Sequence, residues 1–391
     1  MYPGKLDINR FEVIIVHYSI YLLGNFYLSE KSKKYIQKFK GLKILFIQDE
    51  YRKINDIHRE IKNLSFDMIY TCVPNSEIEK VYPVSLFPSM KKINTLTGYI
   101  PENLLMQNPP PIKDRKIDVG YRSRKVPFWL GSLGAEKYQI ADKFHAYTKN
   151  DRLVSDISYD EKKRLYGFYW IDFVVSCKTM LGVESGSSVF DFSGEIEKKV
   201  NRYKSCHPFE RFEKIHDFFL KNHEKKIILN QISPRCFEAI ALKTVLVLYE
   251  GNYSGILIPW RHYIPLKKDF SNIETVVNFI KSVDELQIIS DRAYNEIALN
   301  PIFSYQNFIE NFDNEIFNEF HRRKKNKIDF FYTKDNFIKA IDSYNFFELF
   351  FKKIKIIIRL SFRFFPNFLK EPLKQLYFYL NEIYEKYSIT R

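Results

Sequence analysis

KIILNQISPRCFEAIALKTVLVLYEG, residues 226–251, decides how the rest of this chain is read. The apolar run Ile227-Ile228-Leu229 gives way to Ser233-Pro234, a short apolar segment carries Glu238, and the β-branched run from Thr244 to Leu248 stops at Gly251. The expected order is strand, helix, strand. Ser233 is a natural N-cap, and Pro234 suits the first helical position because its missing N–H costs nothing there. The helix N-terminus then offers unpaired N–H groups and a positive dipole end to an anion, and Arg235 in the first turn adds a charge-assisted bond to a phosphate. One turn later, Glu238 is placed to accept from the hydroxyls of a ribose whose phosphates rest on the helix end. The plainer alternative is a polar position on a half-buried helix.

Outward from this stretch, Ser233-Pro234-Arg235-Cys236-Phe237-Glu238-Ala239 is followed by Gly251-Asn252-Tyr253-Ser254-Gly255 and Pro259-Trp260-Arg261-His262-Tyr263. Together these resemble the donor-binding region of bacterial glycosyltransferases of the GT-B fold. The resemblance implies an α/β chain of two Rossmann-like domains facing a cleft, with a nucleotide-sugar donor and no metal or other cofactor. It implies donor contacts from Ser233, Arg235, Glu238, Tyr253, Ser254 and Gly255. Many members carry two glutamates separated by seven residues, the second on the donor ribose. Glu238 matches the second, whereas Asn230 stands at the first. This departure leaves a retaining mechanism through the first carboxylate without its residue.

Composition sets the outer bounds. With 391 residues and 45% hydrophobic content, the chain can fill two cores and carry an appendage. Cys72, Cys177, Cys206 and Cys236 lie far apart without paired spacing, so neither a disulfide framework nor a zinc site is suggested, and a cytoplasmic location is expected. No leader-like segment or run of about 18 apolar residues is present. Residues 321–391 hold 16 Lys/Arg against seven Asp/Glu, which is +9 of the chain's +14. A charge concentrated in a tail points to an anionic surface and away from a nucleic-acid partner.

Taken in order, Phe11 to Val16 reads as a buried strand ending at His17. Ligands of open α/β sheets bind beyond the carboxyl ends of strands, so His17 is a site candidate, and the resemblance implies a catalytic role for it facing the acceptor. It loosely matches a strand-end histidine common in the resembled group. Gly41 to Ile47 is the next strand and stops at Asp49-Glu50, where a carboxylate could serve as general base. Glu50 is the catalytic candidate there. Asp49 reads more readily as the N-cap of a helix through Ile54, Ile57 and Ile61. Phe66 to Cys72 is a third strand, and Pro109-Pro110-Pro111 is a stiff linker. The acceptor domain is therefore 1–111, and the resemblance implies that its first βα unit is missing.

Ile117 to Tyr121 opens the donor domain, 112–320, and runs into Arg122 and Arg124, the former a candidate phosphate contact. A helix follows through Lys137 to Phe144. Ser158 and Glu161 form a capping box for a helix toward Trp170, and Ser271 with Glu274 form another. The turn-rich segment Leu181 to Glu195 reads as a functional loop, and the resemblance implies that it lies against the donor. Helices to Phe312 close this domain, leaving 321–391 as a basic helical tail. Within the tail, Glu348, Lys352, Lys355, Arg359 and Arg363 form one polar stripe on an otherwise Phe, Ile and Leu surface over 346–365. That pattern suits the interface of an anionic membrane, with docking on the protein's own core as the alternative.

The expected function is transfer of a sugar from a nucleotide donor to a cell-surface glycan or lipid-linked acceptor at the cytoplasmic face of the membrane. Two other classes stay open: a non-catalytic nucleotide- or glycan-binding partner of a transferase, and a membrane-recruited scaffold.

Overall fold

The computed structural model describes residues 8–24 and 27–322. The amphipathic stretch 346–365 lies outside them. The chain divides into two compact units: of the described residues, the first takes those up to Ile44 together with Asn63–Phe66, and the second takes Leu45–Lys62 and those from Asp67 onward.

In the first unit, β1 (Val13–Val16) lies beside the start of β2 (Leu42–Ile47), the Leu42 N–H donating to the Glu12 carbonyl at 2.8 Å. Between them comes α1 (Glu30–Lys38), capped by Ser29, whose hydroxyl accepts from the Ser32 N–H. Lys43 is buried, and its ammonium donates to the Leu64 carbonyl at 2.9 Å, at the end of α2 (Ile54–Leu64).

The second unit holds two sheet arrangements. Strands β2, β3 (Met68–Thr71) and β4 (Lys91–Asn94) follow in that order, β3 pairing β4 in parallel with Met68 opposite Lys91. A five-stranded sheet is built from β5 (Ile117–Arg122), β6 (Ser155–Ser158), β7 (Cys177–Gly182), β10 (Val245–Tyr249) and β11 (Tyr263–Leu266), ordered β11-β10-β7-β5-β6. All four pairings in it are parallel. This is the α/β class expected from the sequence. The unbroken apolar runs follow from it, because a central parallel strand is covered on both faces: every residue of β10 is buried. Gly120 is required where β5 meets its neighbours, since a Cβ there would stand 2.3 Å from the Cys177 Sγ.

The strand expected ahead of the Ser-Pro helix does not join this sheet. It is β9 (Glu224–Gln231), paired antiparallel with β8 (Ser185–Val189) in a separate ribbon, Ser185 opposite Gln231. Ile227 and Leu229 are buried while Ile228 is exposed, the alternation of a ribbon covered on one face. Two caps also differ from expectation. Asp160, not Ser158, caps the turn Glu161–Lys163, and the next helix begins only at Phe168. The helix after β11 starts at Ile273 with Asn272 as its cap residue, and the Asn272 carboxamide accepts from Lys267 N–H instead of from the helix.

The remaining helices that matter below are α3 (Ser132–Tyr147), α4 (Phe168–Ser176), α5 (Glu195–Cys206), α6 (Pro234–Ala241) and α7 (Tyr305–Arg322). The proline-rich connection is anchored by Arg115, whose buried guanidinium donates to the carbonyls of Pro110, Cys177 and Leu242, each at 3.0 Å. Within the same unit, Arg52 makes a two-bond ion pair with Glu197 at 2.6 Å on α5, and the Asp191 N–H donates to the Tyr51 carbonyl at 2.8 Å. Both Asp191 oxygens accept N–H groups, from Gly194 and Glu197, so this carboxylate caps α5. Helix α7 packs Phe312 on the rings of Phe46 and Tyr70, at 5.3 and 5.2 Å, and so covers β2 and β3.

Candidate functional site

The Ser233 cap has the extended backbone expected of it (φ −80°, ψ 142°), Pro234 is at the first helical position, and the Ser233 hydroxyl accepts none of the first-turn N–H groups. Helix α6 therefore presents its positive end uncovered by its own cap. Arg235 is exposed on the first turn and donates to the Arg122 carbonyl at 2.5 Å, bringing the end of α6 to the carboxyl end of β5. The Arg122 guanidinium is fixed by the Asp156 carboxylate at 2.7 Å and lies over the Phe173 ring at 4.1 Å. Its Nε is buried without a hydrogen-bond partner among the described residues. Lys137 on α3 lines the same small cavity as Arg122, Ser233 and Arg235. Burial first, and then the nearby Arg235 charge, push its ammonium pKa down to about 8. Cations gathered this closely raise one another's free energy, and an anion among them relieves it.

A second cavity, of about 340 Å³, shares Arg122 and Arg235 and adds Arg124, Arg164, Trp170 and Glu238. Glu238 is half-buried one turn into α6, and its Oε2 accepts the Trp170 indole N–H at 2.8 Å. Five basic groups across the two cavities, one carboxylate and an indole thus surround one helix end. The arrangement suits an anion with an attached polyol.

The loop after β10 carries three consecutive residues in the left-handed region: Tyr253 (φ 45°), Ser254 (φ 58°) and Gly255 (φ 73°). Such backbone costs roughly 1–3 kcal/mol for each non-glycine residue and persists only where the surroundings fix it. Here Glu184, only 3% exposed, accepts from the N–H groups of Asn252 and Tyr253, both at 2.9 Å, and from the Asn230 amide at 2.5 Å. The Tyr253 hydroxyl donates to the Tyr249 carbonyl at 2.6 Å, while the Ser254 hydroxyl accepts from Ile232 N–H at 3.1 Å. A Cβ on Gly251 would stand 2.7 Å from a Glu184 oxygen, so that glycine is needed for the carboxylate to come so near. Beyond the loop, Arg261 and His262 both bind Glu296, and these contacts pull the Glu296 carboxyl down to about 2.

The other candidates lie in different surroundings. Glu50 is 1% exposed and accepts from the Thr71 hydroxyl at 2.5 Å, the Cys72 N–H at 3.1 Å and the Tyr82 hydroxyl. Burial pushes its carboxyl up to about 7. Its neighbour Asp49 is the exposed one, held at φ 56° with its carboxylate accepting from the Tyr51 hydroxyl at 2.9 Å, and it is not the cap of α2, which begins at Ile54. His17 belongs to the first unit, where it is exposed and its Nδ1 lies 3.0 Å from the Ser19 hydroxyl. Lys137, Trp170 and Glu184 were not recognisable as site residues in the sequence, since each acquires its meaning from a partner far along the chain.

No protein-family model and no curated protein sequence matches this chain. Solved structures similar to it include TarM, at 11% identity and a TM-score of 0.40, covering 78% of this chain and 54% of TarM. The chain thus spans about half the length of TarM. An alpha-glucosyltransferase in complex with UDP and a 13-mer DNA is 11% identical with a TM-score of 0.48, over 79% of this chain and 81% of that one. The Anabaena protein Alr3699/HepE in complex with UDP is 11% identical with a TM-score of 0.40, over 78% and 79%. Among the described residues no group of three or more His, Cys, Asp or Glu side chains is gathered as a metal site, and no helix is long and apolar enough to cross a membrane.

Proposed function

We propose that this protein transfers a sugar from a nucleotide-sugar donor to a glycan or lipid-linked acceptor. The observation that carries the reading is the convergence of the open end of α6, Arg122, Lys137 and Arg235, with Glu238 one turn further on the same helix. Cations and helix dipole stabilise the charge that develops on the departing nucleoside diphosphate, while Glu238 accepts from the ribose. The loop Tyr253-Ser254-Gly255, made rigid through Glu184, borders the donor. His17 acts on the acceptor side. The basic amphipathic pattern over 346–365 supports a site of action at the cytoplasmic face of an anionic membrane.

The test is a panel of nucleotide sugars and nucleoside diphosphates scored for thermal stabilisation, followed by donor hydrolysis and transfer assays, because a ligand bound only by the folded state raises its stability. Stabilisation with hydrolysis supports a transferase. Stabilisation without hydrolysis or transfer identifies a nucleotide-binding partner, and no stabilisation by any nucleotide refutes the proposal. Glu238→Ala is expected to weaken nucleoside diphosphate binding by roughly 1–3 kcal/mol, read by calorimetric titration.

A further inference from the structure

Trp170 and Phe173 stand three residues apart on α4 and therefore project from one face of it. Trp170 donates its indole N–H to Glu238 Oε2 at 2.8 Å, and the Phe173 ring lies under the Arg122 guanidinium at 4.1 Å. The two rings are neighbours, with centroids 6.0 Å apart. One helix face thus backs both the acid and one of the cations, Arg122, of the 340 Å³ cavity. An indole N–H can only donate and an ionised carboxylate can only accept, so this contact selects one orientation of the Glu238 side chain. Among the described residues the other oxygen, Oε1, has no hydrogen-bond partner.

We infer that Trp170 is a positioning residue, holding Glu238 so that its remaining lone pairs meet the two hydroxyls of a ribose, and that it thereby sets the preference for ribonucleotides over 2′-deoxyribonucleotides. This rests on the nucleotide reading above. A tryptophan that merely filled space would contribute ring area, which phenylalanine largely replaces; the directed N–H is what phenylalanine lacks. A half-buried carboxylate freed from its donor samples other rotamers, and the part of its binding that depends on direction is lost first.

The experiment uses the full chain and isothermal titration with UDP, ADP and GDP, their 2′-deoxy counterparts, and pyrophosphate. The wild type is expected to prefer the ribo form of the nucleotide it binds by roughly ten-fold or more, the size of a hydrogen bond to a charged group. Trp170→Phe should bring that ratio close to one while leaving pyrophosphate affinity unchanged, and Trp170→His, which restores an N–H donor, should recover part of it. A ratio in Trp170→Phe equal to that of the wild type overturns the role of Trp170 and leaves the nucleotide site standing. If no diphosphate binds the wild type, the nucleotide reading itself falls, and this inference with it. Glu238→Gln reads the same ratio whether or not the residue-170 variants fold, and a ratio it leaves unchanged also overturns the inference.

Discussion

Lys137 makes the anion site testable through protons. Its ammonium has a pKa near 8 in the free protein instead of the ordinary 10.5, because it is buried and faces Arg235. A diphosphate placed among these cations favours the charged form and returns the pKa toward its ordinary value. At pH 8 about half of the free protein carries the proton and nearly all of the complex does, so binding takes up roughly half a proton, rising to about 0.9 at pH 9 and falling to about 0.1 at pH 7. Full recovery over 2.5 pH units corresponds to about 3 kcal/mol of coupling between proton and ligand, and affinity should fall steadily as pH rises from 8 to 10. Calorimetric titration of UDP at pH 8.5 in buffers of different ionisation enthalpy reads the proton count directly, at a pH where the nucleotide's own phosphates are already ionised. Lys137→Met should abolish the uptake and weaken binding by at least ten-fold. Tight binding of UDP with no proton uptake at pH 8.5, or a Lys137→Met variant that binds as well as the wild type, refutes the assignment of Lys137 to the phosphates.

Three further outcomes follow from other parts of the chain. Glu50 binds its proton more tightly folded than unfolded, so it destabilises the native state progressively as pH rises from about 4.5 to about 7, by roughly 3 kcal/mol in all; urea unfolding from pH 4.5 to 8 should show Glu50→Gln losing that part of the slope, and parallel curves would contradict it. Glu184→Ala leaves the buried Tyr253 N–H and the partly exposed Asn252 N–H and Asn230 amide without their acceptor and should lower stability by roughly 1–3 kcal/mol, measured by chemical denaturation, with a neutral result showing that the loop is fixed by other contacts. Removal of residues 331–391 should release the protein from phosphatidylglycerol vesicles in a flotation assay, at about 1 kcal/mol for each basic residue of the stripe, and equal flotation of both forms would exclude the membrane role.

What could be read from the sequence was what local chemistry decides. Ser233-Pro234 announced the start of α6 because a cap and a first-turn proline act within one turn, and β10 was evident because a strand covered on both faces must be apolar throughout. The partner of β9 was hidden, since a three-residue apolar run is equally compatible with a parallel strand and a ribbon, and only the exposure of Ile228 separates them. The same limit explains Asp49 and Glu50. Two adjacent carboxylates at a strand end look alike, and which one turns inward depends on Thr71, Cys72 and Tyr82 assembling donors around Glu50 from 21 to 32 residues away. Trp170 and Glu238 are 68 residues apart, so no spacing rule links them.

Asn230 shows how a departure from an expected pattern becomes intelligible once partners are known. The resemblance sets a glutamate there, on the ribbon strand leading into α6. In this chain the Asn230 amide donates to Glu184, a carboxylate delivered from the turn between β7 and β8 and buried to 3% exposure. A glutamate at 230 would press a second carboxylate against the buried Glu184. Two such groups cannot both ionise cheaply, and one would have to take up a proton or leave. The amide avoids that conflict and adds a donor to the carboxylate that also accepts from the N–H groups of Asn252 and Tyr253. Positions 184 and 230 thus share one electrostatic role, and a substitution at either one alone reports on the pair.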